Sequence, residues 1–452
     1  MIKVKLISHT NAAPLELASH AALICYQAEA PELGKMINVE NRLFKVGHHT
    51  TLQHFFLTFQ VEDISVGDIT FGLHLTSPFY NSDQRSGRYC AKMFVEPDFE
   101  KIENYVGSFW PDLEQSLKNK TLDYIKKGVN LYQENIATAT ELAAKFIREE
   151  RPFANDKYIE MSAPKIAQEQ VRSFIPVIFP TAFDLTINLT ALVAMYEAAW
   201  NPVMRDVTGK MAQAAVEKFP ELAFVFREDA RRQDDWAPKI KEGSQILSEP
   251  HLKILEISRR ENFRAAEEAL MAPVDKLHFT PELMDNSFDE IKTEIEISVA
   301  TMGQDQRHRT IRRGMPEFTG NFYLPPILAA LGLEEAARGL LEDWKNLSQK
   351  LPDTLAAVIA PYGAMVRYKK AGSLNAVAHE QAKRLCWCAQ EEIYHLSRLL
   401  RLEIEKLPEH SPLLSLLEPP CYSTGLCAEG ARYCGRDIKL RTGGDYFPKR
   451  KI

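Results

Sequence analysis

Apolar residues recur along this chain with two different periods. Ile2-Lys3-Val4-Lys5-Leu6 alternates and predicts a strand, and Leu15–Tyr26 predicts a helix. His54–Glu62 is rich in Phe and predicts a second, half-buried strand. Gly67, Gly72, Pro78 and Gly87 punctuate residues 65–92, which read as loop. From Pro111 to Glu150 the spacing turns helical, through Leu113, Leu117, Leu122, Ile125, Val129 and Ile136. Ser162–Trp200 predicts two further helices, broken near Pro176–Pro180 and stopped by Asn201-Pro202. The dense charge run Arg227–Trp236 reads as a solvated helix face or linker. After it the pattern restarts. Ile291–Val299 alternates, a loop with Gly314, Pro316, Gly320 and Pro325-Pro326 follows, and helices are expected over 327–351 and 373–407.

The restart is an internal repeat. Val171–Asn201 lies over Ala356–Cys386 without a gap, so Pro176 falls on Pro361, Leu189 on Leu374, Arg172 on Ala357 and Ala199 on Arg384. The loops align more loosely: Asp83–Tyr89 faces Pro316–Phe322, and Thr76-Ser77-Pro78 stands near Arg307-His308-Arg309. Charge alternates between the copies. The first has Arg88 and Arg172 where the second has Asn321 and Ala357; the second has Arg307 and Arg384 where the first has Thr76 and Ala199. Decay of one copy would leave one good set and one poor one. A swap at four positions indicates one site drawing on both copies.

Composition narrows the class. The chain has 452 residues, 45% hydrophobic and 26% charged, which is the composition of a core-forming protein of two or three domains. A net charge of -6 gives no global field for nucleic acid or an anionic membrane. The most apolar stretch, Ser173–Trp200, contains Pro176, Pro180 and Asp184 and is not expected to span a bilayer. No secretory core opens the chain, and seven cysteines are an odd number, so cytosolic thiols and a cytoplasmic setting are expected. Cys386, Cys388, Cys421, Cys427 and Cys434 lack a CxxC pair, so no metal is expected. There is no GxGxxG before a helix and no Walker loop, which argues against those nucleotide sites.

What remains is an anion site. Four arginines at loop and helix positions can hold a dianion, because each guanidinium pairs two oxygens in a fixed fork. Ser86 and Arg88 flank Gly87, a spacing that brings hydroxyl and backbone NH groups to the same anion. Arg307–Arg313 is strongly basic but carries no interleaved aromatic residues, which weakens a nucleic-acid reading.

These segments resemble the flavin-dependent thymidylate synthases. Gln304-Asp305-Gln306-Arg307-His308-Arg309 is similar to the family's RHR segment, and Ser86-Gly87-Arg88-Tyr89 to its SGRY segment. Arg384–Ile393 resembles its RLCxxAQxEI helix, Gly47–Phe55 its GHxTxxEHxxF segment with Gln53 for Glu, Ala21–Gln27 its first helix, and Pro420–Gly435 its cysteine-bearing tail. Both halves are covered. The resemblance implies an α+β fold of two tandem units, each a small antiparallel sheet packed with long helices. Residues 1–225 would form the first unit, 226–239 a charged linker and 240–452 the second.

It also implies chemistry: reductive methylation of dUMP to dTMP, with FAD as cofactor and NADPH and methylenetetrahydrofolate as co-substrates. By residue, Gln304, Arg307 and Arg384 would form one substrate set, and Gln84, Ser86, Arg88 and Arg172 the other, with Arg307, Ser86 and Arg384 closest to the chemistry. His48, Thr50, Gln53, Arg307, His308, Arg309 and His379 would line the flavin. The family's tetramer implies a homodimer of this two-unit chain, forming a pseudo-tetramer with one working site per chain. The RHR triplet is missing from the first half, Thr319 and Asn321 replace Ser and Arg in the second, and Gln84 replaces a Glu beside the pyrimidine. The alternatives are a uracil-C5 methyltransferase acting on another nucleotide, or a flavin-, nucleotide- or RNA-binding relative without turnover.

Overall fold

A computed structural model describes residues 1–75, 80–258, 276, 279–425, 427, 429–430, 433–436 and 447–452, leaving aside the side chains of Ser423 and Thr424. Thr76, Ser77 and Pro78, expected opposite the basic triplet, lie outside the described residues, as do Leu426, Ala428, Ala431 and Arg432 of the tail.

In the first half, β1 (Lys3–His9), β2 (Phe56–Ser65), β3 (Tyr80–Gln84) and β4 (Pro180–Asn188) form an antiparallel sheet in the order β1-β2-β4-β3. Alternation selects its inner face: Leu57, Phe59 and Val61 of β2 and Phe183, Leu185 and Ile187 of β4 are buried. The helices are α1 (Pro14–Leu23), α2 (Phe99–Phe109), α3 (Gln115–Glu150), α4 (Asp156–Val171), α5 (Leu189–Ala198) and α6 (Pro202–Lys218). Asn155, Asn188 and Asn201 each accept a backbone NH at a helix start, and Pro202 follows the last of them.

In the second half, β5 (Ile246–Leu247), β6 (His251–Ser258), β7 (Glu290–Ser298), β8 (Arg312–Arg313), β9 (Glu317–Tyr323) and β10 (Ala364–Ser373) make a sheet in the order β5-β9-β10-β7-β6, with β8 on β10. Among the described residues the β5–β9 pairing is parallel, as is the isolated bridge between Ile240 and Phe318, and the other strand pairings are antiparallel. Its main helices are α7 (Val299–Asp305), α8 (Glu334–Ser348), α9 (Leu374–Arg384) and α10 (Glu391–Glu405).

Several expectations need correction. Ser162–Trp200 does hold two helices, α4 closing at Val171 and α5, but the strand β4 runs between them. Prolines 176 and 180 stop the helix, and period-two burial then wins. Residues 65–92 contain helical turns over 66–73 and the strand β3. The expected helix 327–351 divides at Gly332, whose φ of +72° suits glycine, and 373–407 divides between α9 and α10. The charge run is not a helix face. It is strapped to the first half by Arg232 N to Glu197 O (2.8 Å), Trp236 N to Trp200 O (2.8 Å) and the Arg231 guanidinium 4.3 Å from the centre of the Tyr196 ring.

The two halves meet at residues that the sequence alignment pairs. Pro176 and Pro361 form an antiparallel bridge. Val177 N donates to Ala360 O and Tyr362 N to Ile175 O, both at 2.8 Å, and these bonds exchange under the repeat. Gly67 N to Val177 O (2.8 Å) matches Ala300 N to Tyr362 O (3.0 Å) in the same way. The seam is tight: a Cβ on Gly67 would sit 3.0 Å from the Val358 backbone. One hydrophobic core runs through both halves, with Phe71 on Phe318 (5.2 Å between ring centres) and Phe174 on Phe322 (6.3 Å). The residues that fix the relative placement of the halves are therefore core residues.

Buried carboxyls sit on either side of the seam. Asp68 accepts from Ser65 and Tyr105, and burial pushes its pKa up to about 6. Glu392 accepts from Ser298 N (2.6 Å) and from the Ser298 and Thr301 hydroxyls, and burial pushes it up to about 7. A carboxyl with a raised folded-state pKa binds more protons folded than unfolded, so its stabilising contribution is complete below pH ~4.5 and is lost as pH rises towards 7. Urea unfolding is expected to show Glu392→Gln with a shallower fall in stability between pH 5 and 7.5 than the parent chain. An unchanged slope would refute this assignment.

Candidate functional site

The loop after β3 turns on Ser86. Its carbonyl accepts the NH groups of Tyr89 (3.1 Å) and Cys90 (3.0 Å), and its hydroxyl accepts Arg88 N at 3.2 Å. Gly87 leaves room for Arg172, whose Nη1 lies 3.2 Å from where a Cβ would stand. Gln168 Nε2 donates to Gly87 O at 2.6 Å, tying the loop to the last turn of α4. Glu169 in that turn pairs with Arg88. Arg172 follows, buried, with its guanidinium 4.7 Å from the centre of the Tyr362 ring.

The second half supplies the opposite wall. Ser298 caps α7, which carries Gln304 into the seam. Arg88 Nη1 reaches Gln304 Oε1 at 3.5 Å, and Gln304 Nε2 donates to Gln390 Oε1. Arg384, at the end of α9, donates from Nη2 to Gln304 O (2.7 Å) and from Nε to His308 Nε2 (2.9 Å). Arg307 stands at the rim with 42% of its side chain exposed, 3.9 Å from Asp83. Arg309 reaches across to Asn81 Oδ1 (2.6 Å) and Ser82 O (2.7 Å). The two predicted substrate sets thus face each other within one chain.

Positive charge is held there against its own preference. Burial lowers the pKa of Arg172 and of Arg307, and burial lowers Arg384 to about 10 despite Glu380 and Asp305, with Arg88 and Arg307 adding to the strain. Burial also opposes the Arg88 cation, but Glu169 outweighs it and the pKa rises. Burial and Arg384 drive His308 well below the usual imidazole range, so it is neutral. Because Nε2 accepts from Arg384, the ring proton is assigned to Nδ1. An incoming dianion would relieve this crowding.

The remaining predicted residues are placed as follows. Gln84 ends β3, half-buried and paired with Phe183 in the ladder. His379 on α9 lies 6.0 Å from His308 between ring centres. His48, Thr50 and Gln53 are exposed on or beside a helical turn at residues 49–54; His49 O accepts Thr190 Oγ1 at 3.0 Å. Among the described residues no hydrogen bond or ring contact joins those three side chains to the arginines. Sequence reasoning missed Glu169, Tyr362 and Gln390. Glu169 pairs with Arg88, 81 residues away, and the Tyr362 contact crosses the seam, so neither leaves a local signal.

The basic run is largely paired, Arg313 in the interior and Arg312 at the surface. Arg312 pairs with Glu290, Arg313 with Asp305, and Arg309 with Ser82, leaving Arg307 at the rim. The counterpart position is filled. Asn321 Nδ2 donates to Glu296 Oε1 (2.8 Å), Gln245 N donates to Asn321 Oδ1 (3.1 Å), and residues 239–247 run along β9 through Lys241 N to Phe318 O (2.9 Å) and Phe322 N to Gln245 O (2.9 Å). Counting from the equivalent capping serines, Ser65 and Ser298, places His74 opposite Arg307, two residues before the expected Thr76.

Fold and site together define a protein with a cluster of arginines at the seam of two sheet-and-helix halves. Residues 5–222 match the Thy1 family, thymidylate synthase complementing protein. The match covers a little under half of the chain and lies within the first half. Two solved structures of the flavin-dependent thymidylate synthase ThyX from Helicobacter pylori, complexed with FAD and dUMP, resemble it. One is 19% identical, covering 51% of this chain and 100% of that one; the other is 18% identical, covering 52% and 100%; the TM-score is 0.33 in both cases. No curated protein matches. Among the described residues, no helix is long and apolar enough to cross a membrane.

Proposed function

We propose that the chain is an FAD-dependent thymidylate synthase that methylates dUMP with methylenetetrahydrofolate and NADPH, in one composite site built from both halves. The observation that carries this reading is the meeting of Arg88 with Gln304 at 3.5 Å, beside Arg172 and Arg384. Arg172 and Arg384 bind the nucleotide phosphate, each contributed by a different half. Ser86, held by the turn it closes, presents its hydroxyl as a donor to the nucleotide. Gln304 and Gln84 supply amide donors and acceptors for the pyrimidine edge.

The donor set at the seam fits a flavin in part. Arg307, neutral His308 and His379 lie together, whereas His48, Thr50 and Gln53 form a separate exposed patch. A second chain presenting that patch would complete the flavin site, in keeping with a homodimer forming a pseudo-tetramer. Reduced FAD, when bound, supplies hydride, and the protein's contribution is binding and orientation. Arg307 holds a fixed positive charge at the rim, where negative charge develops on the pyrimidine. Gln84 in place of a carboxylate favours, as a second reading, a different uracil nucleotide as substrate.

Product analysis after incubation with dUMP, FAD, NADPH and labelled methylenetetrahydrofolate tests the proposal. Labelled dTMP is the expected product, and its absence with competent FAD binding would refute the assignment. Saturation with FAD is expected to give one flavin per chain by absorbance, because the counterpart position is filled by residues 239–247. A ratio near two would show that both positions bind.

A further inference from the structure

Five of the seven cysteines converge outside the arginine site. Cys386, Cys388, Cys421, Cys427 and Cys434 line one cavity of about 30 Å³, together with the rings of Trp387, Tyr422 and Tyr433. None of the seven is in a disulfide. Cys388 N donates to Cys386 Sγ at 3.5 Å, and the Cys388 thiol is hydrogen-bonded to the sulfurs of both Cys386 and Cys434. The segments carrying these cysteines are far apart in sequence. Cys386 and Cys388 follow the end of α9, and the others lie on the tail.

The tail is shaped to bring its cysteines round. Gly425, Gly430 and Gly435 have φ of +73°, +54° and +75°, so a left-handed turn falls between each pair of successive tail cysteines and directly after the last. Gly435 is also a docking point: Phe153 N donates to its carbonyl at 2.9 Å, and a Cβ there would meet Ala154 N at 2.4 Å.

The surroundings are cationic. Arg151 Nη2 (2.9 Å) and Arg450 Nη1 (2.7 Å) both donate to Trp387 O, and the Arg436 guanidinium lies 4.0 Å from the centre of the Trp387 ring. Single buried thiols are ordinary core fillers. Three arginines beside five of them suit a thiolate group instead, because a tetrathiolate around a divalent ion carries two net negative charges.

We propose that this cavity binds one divalent ion of the zinc class through four thiolates, three from Cys386, Cys388 and Cys434 and the fourth from Cys421 or Cys427. Among the described residues no three His, Cys, Asp or Glu side chains already form a metal-holding group, so the thiols close on the ion by side-chain rotation. Tetrahedral thiolate ligation is the usual structural zinc arrangement. Sequence spacing gave no such expectation, because the missing CxxC pair is made up by convergence of α9 with the tail. The ion would then pin the tail to the end of the helix that carries Arg384.

The full chain is purified with a phosphine reductant and no chelator, and its metal is measured by mass spectrometry. One zinc per chain is expected. Replacing it with Co(II) is expected to give a thiolate-to-cobalt charge-transfer band in the near ultraviolet. The Cys386→Ser/Cys434→Ser variant is expected to lose both signals at least tenfold, while Cys25→Ser keeps both. Independently of any variant, Cys25, Cys90 and whichever of Cys421 and Cys427 is not a ligand are expected to react with a thiol reagent in the native chain, and the four ligand thiols only after chelator is added. Zinc below a tenth of an equivalent with no uptake on titration, a disulfide among the five, or full metal content in the double variant would overturn the proposal.

Discussion

Arg384→Ala is expected to weaken dUMP binding by roughly thirtyfold or more, and Arg172→Ala by a similar factor, although the two residues belong to different halves. Each guanidinium is buried against partners that only partly neutralise it, and loss of one charge from such a paired, desolvated site costs about 2–5 kcal/mol. At about 1.4 kcal/mol per tenfold change this gives the stated factor. Arg384 also holds Gln304 O and His308 Nε2, so Arg384→Lys is expected to recover only part of the loss: a point charge cannot make both bonds. Ala199→Arg and Ala357→Arg are expected to bring no gain, because both alanines are buried in the core. Calorimetric titration reads all five variants. A silent Arg384→Ala beside a severe Arg172→Ala would break the shared-site account.

The second large effect concerns stability. Asp305, immediately after Gln304, is fully buried and accepts from Arg313, from Lys370 Nζ (2.5 Å) and from Tyr368 OH (2.8 Å). Burial works against its charge, but Arg313 and Lys370 prevail and hold it well below the usual carboxylate range. Asp305→Ala strands two cations in the interior and is expected to cost about 3–5 kcal/mol in urea unfolding. A carboxyl with a lowered folded-state pKa stabilises the fold above its unfolded value near 4 and loses that contribution as pH falls. The parent chain is therefore expected to approach the variant's stability in acid, with the difference fully present at neutral pH. A constant difference between pH 3 and pH 7 would contradict this reading of Asp305.

Legibility in the sequence followed the range of the interactions. β2 and β7 were visible because one face of each is buried, so period-two alternation survives in the residues. β4 was hidden among prolines, and its strand character comes from lying between β2 and β3, a tertiary fact. The alignment of Val171–Asn201 with Ala356–Cys386 was readable without a gap because it includes the stretch where Pro176 meets Pro361, and an insertion there would break paired bonds. Register was misjudged at Thr76 and Arg307, where a loop has no such constraint. For the candidate site, the four arginines stood out as alternating charge across the repeat. Glu169 and Tyr362 did not, since one neutralises Arg88 and the other lies against Arg172 only after the chain has folded.

The central claim is that one chain supplies both halves of its own anion site. Mixing Arg384→Ala chains with Arg172→Ala chains, with mixed oligomers verified by pull-down through two different tags, tests it directly. In a site completed within each chain, every chain in the mixture still lacks one phosphate-binding arginine. The account therefore predicts that dTMP formation in the mixture stays at the level of the two variants alone. Recovery of about a quarter or more of the parent activity would show that working sites form between chains and would contradict the account.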